Sequence, residues 1–171
     1  MKKRKILGID YGDFSIGLAI FDVETDFIFP YKTIFRDKAN ILRKSIREII
    51  DIIKVENITD IVIGLPLNAD GTDGERVEKV KKFAKMLQNG LINANVPVGA
   101  DTIRQTSNTK VPVGADIIRP TNIYFQDECL TTVEAKTILA ERGIKKTDWK
   151  KTIDQIAAEI ILQDFRQINN I

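Results

Sequence analysis

Three strand-type stretches follow one another before any helical period appears, and this order restricts the fold more than any other feature of the chain. Residues 5–9 and 15–21 are apolar runs joined by a polar turn at Gly12-Asp13. Phe27–Phe35 is aromatic and β-branched, and Pro30 marks it as an edge strand or a bulge. The period then changes. Ile41, Leu42, Ile46, Ile49, Ile50 and Ile53 recur at helical spacing, which predicts an amphipathic helix over about 38–54. Asp60–Leu65 is a short apolar run suited to a buried central strand. A second helix is expected over about 75–89, with Val77, Val80, Phe83, Ala84 and Leu87 on one side. A last strand at 123–125 precedes helices at 131–141 and about 150–167. Three strands and then helix–strand alternation predict an α/β chain with a central mixed five-stranded sheet flanked by helices. The 171 residues suffice for one domain, 1–171, with a sizeable core.

One segment departs from this rhythm. VPVGADTIRQTSNTK, from Val96, is followed directly by VPVGADIIRPTNIYF, from Val111, a near-tandem repeat of period 15. Two copies are too few for a solenoid. The Gly, Pro, Thr and Asn content predicts that 96–121 is an inserted flexible loop ahead of the last strand, with a flap over a substrate as the functional alternative.

The chain has no histidine, and Cys129 is its only cysteine. This removes Ser–His–Asp and Cys–His catalysis, structural zinc and internal disulfides. Catalysis must rest on carboxylates, lysines, hydroxyls or a hard metal held by oxygen. The net charge of +2 says little about partners. No apolar run approaches the length of a membrane span. Lys2-Lys3-Arg4-Lys5 resembles the start of a signal peptide, but Asp10 and Asp13 break the apolar region that should follow, so a cytoplasmic protein is expected.

Three acids stand where burial is expected. Asp10 follows Ile6-Leu7-Gly8-Ile9, Glu128 ends the last strand, and Asp154 borders the stripe formed by Ala157, Ala158 and Ile161. Buried carboxylates are normally paired or bind a metal, and three without a matching buried cation point to Mg2+ or Mn2+. Each has a plainer reading: Asp10 bonding the turn, Glu128 solvated at a strand end, Asp154 favoured by the helix dipole. Asp127 should face away from Glu128, and Glu134 fits a capping box opened by Thr131. Basic residues cluster at Arg76, Lys79, Lys82 and Lys85 and at Lys145, Lys146, Lys150 and Lys151. Either cluster serves solubility or holds phosphates. The loop with Asn68 and Thr72 and the helix start at Thr131-Thr132 could offer backbone N–H groups to phosphates.

GIDYGxxxIGLAI, VIGLPLNADGT, DExLTTVEA and DQIAAEIIL occur here in the order and approximate spacing of the YqgF/RuvX family, which the chain resembles over nearly its whole length except the insertion. Members are RNase H-like and are described as candidate Holliday junction resolvases and as nucleases maturing the small-subunit ribosomal RNA precursor. The resemblance implies an RNase H-like fold and a divalent-metal-dependent nuclease whose catalytic, metal-binding acids are Asp10, Glu128 and Asp154. Two ions would activate water on one side of a phosphodiester and stabilise the leaving oxygen on the other. Structured RNA and branched DNA are the implied partners, without a membrane. A resolvase needs two active sites and hence a homodimer. Two positions depart from the pattern: the usual Arg after the catalytic Glu is Cys129, and the turn Asp13-Phe14-Ser15 lacks the basic residues common there. Two other functions compete: an RNA-binding module that has lost cleavage, and a kinase of the actin-like superfamily, which would need a second domain.

Overall fold

The computed structural model describes residues 4–36, 42–66, 74–105, 120–127 and 131–171. In chain order the elements are β1 (Lys5–Tyr11), β2 (Ser15–Asp22), β3 (Phe27–Phe35), α1 (Leu42–Glu56), β4 (Asp60–Leu65), α2 (Glu75–Asn93), β5 (Val98–Gln105), β6 (Thr121–Asp127), α3 (Thr131–Glu141) and α4 (Trp149–Asn169). The sheet runs β3-β2-β1-β4-β6-β5. β2 pairs antiparallel with both β1 and β3, while β1–β4, β4–β6 and β5–β6 are parallel. Only β2 therefore runs against the rest, and β1, β4 and β6 end at the same side of the sheet. Ligands of open α/β sheets gather outside such carboxyl ends.

Pro30 acts as its sequence position predicts. β3 is an edge strand, and the register slips beside the proline: Leu18 opposes Lys32 and Ala19 opposes Pro30, leaving Tyr31 as the extra residue.

The strand count corrects the five-stranded expectation to six. The sixth, β5, falls inside the stretch read as a loop. Its Gly- and Thr-containing sequence shows no clean alternation, and its pairing is irregular between Val98 and Ile103. β5 lies along β6, which would otherwise present an unpaired edge. The two ends of the inserted stretch meet: the Thr121 N–H donates to the Pro97 carbonyl at 2.7 Å. Residues 106–119 of the repeat lie outside the described residues.

Alternation along the strands divides the core into two layers. Leu7 and Ile9 of β1, with Ile123 and Phe125 of β6, pack against α1 and α2 through Ile46, Ile49, Ile53, Val77, Val80, Phe83 and Leu87. Ile6 of β1, Ala19 and Phe21 of β2 and Tyr124 of β6 pack against Ala158, Ile161, Leu162 and Phe165 of α4. α3 lies on α4 through Ala135, Leu139, Ile156 and Ile160. α4 comes unusually near the sheet because β1 offers a glycine: a Cβ on Gly8 would stand 2.6 Å from Leu162 Cγ and 2.7 Å from the Ala158 carbonyl. None of the described helices is long and apolar enough to cross a membrane.

Candidate active site

Asp10 is the penultimate residue of β1 and is half-buried. Alternation puts it on the same face as Ile6 and Gly8, the face that α4 covers. Directly opposite on β2 is Gly17. Facing residues in an antiparallel pair have Cα atoms roughly 4.5–5.5 Å apart. α4 passes over this point with Asp154 against the glycine: a Cβ on Gly17 would collide with the Asp154 carbonyl and lie 2.7 Å from Asp154 Cβ. The Asp10–Gly17 pair thus brings together two acids that are 144 positions apart in the chain. A side chain at position 17 would force them apart.

The Asp154 carboxylate is held by a hydroxyl. Ser15 Oγ donates to Asp154 Oδ2 at 2.5 Å. The next helix residue, Gln155, donates from Nε2 to Thr33 Oγ1 of β3 at 3.1 Å, so the start of α4 is tied to two strands. Sequence reading passed over Ser15 except as a strand start; a hydroxyl on the strand facing Gly17's layer was the available signal.

The turn between β1 and β2 is pinned from several sides. The Gly12 N–H donates to the Ser15 carbonyl at 2.9 Å. The Arg36 guanidinium lies 4.7 Å from the centre of the Tyr11 ring, donates to the Tyr11 hydroxyl at 3.1 Å and also donates to the Gly12 carbonyl. Tyr11 in turn stacks on Phe83 of α2, centroids 4.5 Å apart. Arg36 was not foreseen. It lies just past β3, where no pattern separates a bracing arginine from a solvated one.

Lys79, expected to contact nucleic acid, reaches Asp13 of this turn at 3.4 Å and Glu75 at 3.5 Å. The hydrogen bond that Lys79 donates to Asp13, then the charge of Asp13, raises the Lys79 pKa. Both partners are largely exposed, so the pair adds little stability. Its consequence is electrostatic: the carboxylate that the turn adds is partly neutralised.

The other expected positions fall as follows. Arg76 is exposed in the first turn of α2, and Lys150 is exposed in the first turn of α4. Thr131 and Thr132 open α3, and their side chains lie outside what is described. Glu128, Cys129, Asn68 and Thr72 also lie outside the described residues. Asp127, the last residue of β6, is exposed. Farther along α4, burial chiefly, then the charges of Glu134 and Asp127, raise the pKa of Asp164. Among the described residues no three His, Cys, Asp or Glu side chains gather closely enough to hold a metal ion. Asp10 and Asp154 with the Ser15 hydroxyl provide two carboxylates and an oxygen donor. That set fits a hard divalent cation and no soft one.

A sheet in which only the second strand is reversed, with an acid at the end of its central strand and a second acid delivered by the last helix, defines an RNase H-like α/β protein. Solved structures share the fold: RuvC of Thermus thermophilus, with a TM-score of 0.51 and 11% identity over 95% of each chain, and the fowlpox virus Holliday junction resolvase, with a TM-score of 0.52 and 11% identity over 95% of this chain and 97% of that one. The chain is 32% identical over 163 residues to a Lachnospira eligens protein named "Putative pre-16S rRNA nuclease", covering 95% of this chain and 96% of the relative. A Carboxydothermus hydrogenoformans protein of the same name is 34% identical over 161 residues, 94% of each chain. The family profile described as "RuvX: Holliday junction resolvase" matches residues 4–109 and 103–167, in two pieces that meet inside the duplicated stretch. The chain belongs to the RuvX family.

Proposed function

We propose that this protein is a divalent-metal-dependent endonuclease that hydrolyses phosphodiester bonds of nucleic acid, and that its substrate is the 5′ end of the pre-16S ribosomal RNA, in the cytoplasm. The observation that carries this reading is the approach of Asp154 to Asp10 across Gly17. The relatives' name supports the RNA substrate.

The roles follow from how rigidly each group is mounted. β1 is an internal strand, paired with β2 along its length and with β4 as far as Ile9, so Asp10 projects from the end of a strand held on both sides. Asp154 is aimed by Ser15 and cannot drift along the strand, because its main chain is seated in the space left by Gly17. Glu128, one residue past the end of β6, is assigned as the third carboxylate. A divalent ion held by these acids supplies a Lewis acid for the phosphoryl oxygen and lowers the pKa of its bound water. Mg2+ and Mn2+ are the ions proposed, as a pair. Arg76 and Lys150, with the backbone at Asn68, Thr72, Thr131 and Thr132, are assigned to phosphates, contacts that position the strand without reading its sequence. Lys79 does this by exchanging Asp13 for a phosphate.

The family description favours a second reading, resolution of branched DNA by a homodimer. One experiment separates the two. A single preparation is offered a pre-16S 5′ leader and a four-way DNA junction, with Mg2+, with Mn2+ and with chelator, beside Asp10→Asn. Metal-dependent cutting of the leader that Asp10→Asn abolishes supports the proposal. Cutting of the junction alone, by a species of twice the chain mass, replaces it with the second reading. Cutting that persists in Asp10→Asn overturns the site.

A further inference from the structure

Asp10 stands between two glycines on its own face of the sheet. On β2 its register partner is Gly17, where the Asp154 main chain fills the hollow. On the other side Ile9 pairs with Ile63 of β4, so the residue level with Asp10 there is Gly64. Gly64 pairs in turn with Gln126 of β6. Their face follows from their neighbours: Ile9, Ile63 and Phe125 pack toward α1 and α2, while Val62 and Tyr124 pack under α4. Gly64 and Gln126, two residues beyond Val62 and Tyr124, therefore face α4, as Asp10 does. Neighbouring strands lie roughly 4.8 Å apart, so Asp10 and Gln126 stand roughly 10 Å apart across a position that carries no side chain.

Gln126 is only 3% exposed. The other buried polar side chains among the described residues stand elsewhere. Asp60 pairs with Arg4 and Glu159 with Arg142. Thr121 lies at the opposite end of β6, and Ser45 belongs to α1 on the other face. Burial of an amide is costly unless it is hydrogen-bonded, and the plainest role for Gln126 is a bond within the fold. Its place in the row of Asp10 also suits it to the acid site. The amide is neutral, so it neither repels carboxylates nor competes for them as a lysine would. Its oxygen is a hydrogen-bond acceptor. A small divalent cation held by a few carboxylates keeps several waters, and in a buried site each of those waters needs an acceptor.

Resting on the nuclease reading above, we propose that Gln126 is a positioning residue of the acid site: across Gly64 from Asp10, its amide oxygen accepts a hydrogen bond from a water retained by the cation that the acids hold. The missing side chain at Gly64 leaves the place that this water takes. Partners of this kind fix the orientation of what a cation binds, and their loss costs about 10- to 100-fold in metal affinity or activity. Ser15 serves Asp154 from one side of the site, and Gln126 serves the opposite side.

The test is Mn2+ binding without nucleic acid, followed by the electron paramagnetic resonance signal of the free ion, with melting curves in chelator to establish that each protein is folded. The proteins are the parent, Asp10→Asn, Gln126→Met, Gln126→Glu and Gly64→Ala. Gln126→Met keeps the length and loses the acceptor, and should weaken Mn2+ binding about 10- to 100-fold. Gln126→Glu keeps an acceptor oxygen and should bind Mn2+ at least as tightly as the parent. Gly64→Ala leaves Gln126 in place but fills the gap, and should weaken binding as Gln126→Met does; it carries the test if the methionine variant does not fold. A Gln126→Met or Gly64→Ala protein that binds Mn2+ with parental affinity overturns the proposal, and a lower melting point in chelator then marks Gln126 as a bond within the fold only. A Gln126→Glu protein that binds as weakly as Gln126→Met overturns it too. In each of these cases, parental binding that Asp10→Asn abolishes leaves the nuclease reading standing. A parent that binds no Mn2+ overturns both.

Discussion

Replacing Gly17 by alanine tests the central geometric claim, that the site exists because α4 touches the sheet at a residue without a side chain. The added Cβ would lie 2.7 Å from Asp154 Cβ and would collide with the Asp154 carbonyl. Carbon–carbon contact becomes comfortable only at roughly 3.5 Å, so the start of α4 must retreat by roughly 1 Å. The obstacle is main chain, so no rotamer change relieves it. The same retreat stretches the 2.5 Å bond from Ser15 to Asp154 to the limit of hydrogen bonding and withdraws Asp154 from Asp10. Overpacking of this kind destabilises by about 1–3 kcal/mol. A 1 Å displacement of a catalytic group costs about 100-fold in rate. Urea unfolding and single-turnover cleavage under metal saturation measure the two separately. Leu162→Ala is the control. Leu162 is buried in the same layer but lies two turns beyond Asp154, and its truncation should cost about 2–5 kcal/mol without lifting Asp154. Under conditions where both variants are folded, Leu162→Ala should cut at close to the parental rate and Gly17→Ala about 100-fold more slowly. A Gly17→Ala protein that cuts at the parental rate would refute the reasoning, because Asp154 would then not need its present position.

Asp154→Asn should reduce cleavage to background, whereas Asp127→Asn and Glu134→Gln should keep most of it; equal losses in a metal-dependent cleavage assay would mean that the site is misplaced. Glu56 accepts from Lys5 at 2.9 Å and from the Tyr31 hydroxyl at 3.1 Å, and its pKa is lowered chiefly by the Lys5 hydrogen bond. Its stabilisation is therefore present above the ordinary carboxylate range and lost as pH falls through its folded value. The Lys5 pKa is raised, so its share persists below the ordinary lysine range and is lost as pH rises through the folded value. Glu56→Gln should be less stable than the parent by up to about 1 kcal/mol near neutrality, with the difference vanishing on acidification in urea titrations at stepped pH; a difference that grows in acid contradicts the sign. Replacing 98–120 by two glycines removes β5 and leaves β6 as an edge still paired with β4, and it should leave a cooperative melt, because the flanking Pro97 and Thr121 are already one hydrogen bond apart and the shorter connection changes closure entropy by only about 0.6 kcal/mol per halving. A broad, non-cooperative transition would show that β5 is built into the core.

The elements of the chain were legible because their signals are local. Ile46, Ile49, Ile50 and Ile53 announce α1 by their spacing alone, and the run Asp60–Leu65 announces a strand buried on both faces. Pro30 announced an edge. The lack of histidine left catalysis to carboxylates, lysines, hydroxyls or a hard metal held by oxygen, and the acids Asp10 and Asp154 were conspicuous because one interrupts an apolar run and the other borders an apolar stripe. Tertiary structure alone decided what those acids meet. Ser15 and Asp154 are 139 positions apart, and Lys79 and Asp13 are 66 apart. Nothing local to either partner specifies the other. Gly8 and Gly17 read as ordinary strand glycines until α4 lies across them. β5 is a strand because the edge of β6 is there to pair with, not because Val98–Gln105 alternates. Periodicity is a property of neighbouring residues and survives in the sequence. Strand order, register and the height at which a helix crosses a sheet arise from burying both faces at once, and that balance exists only in the folded chain.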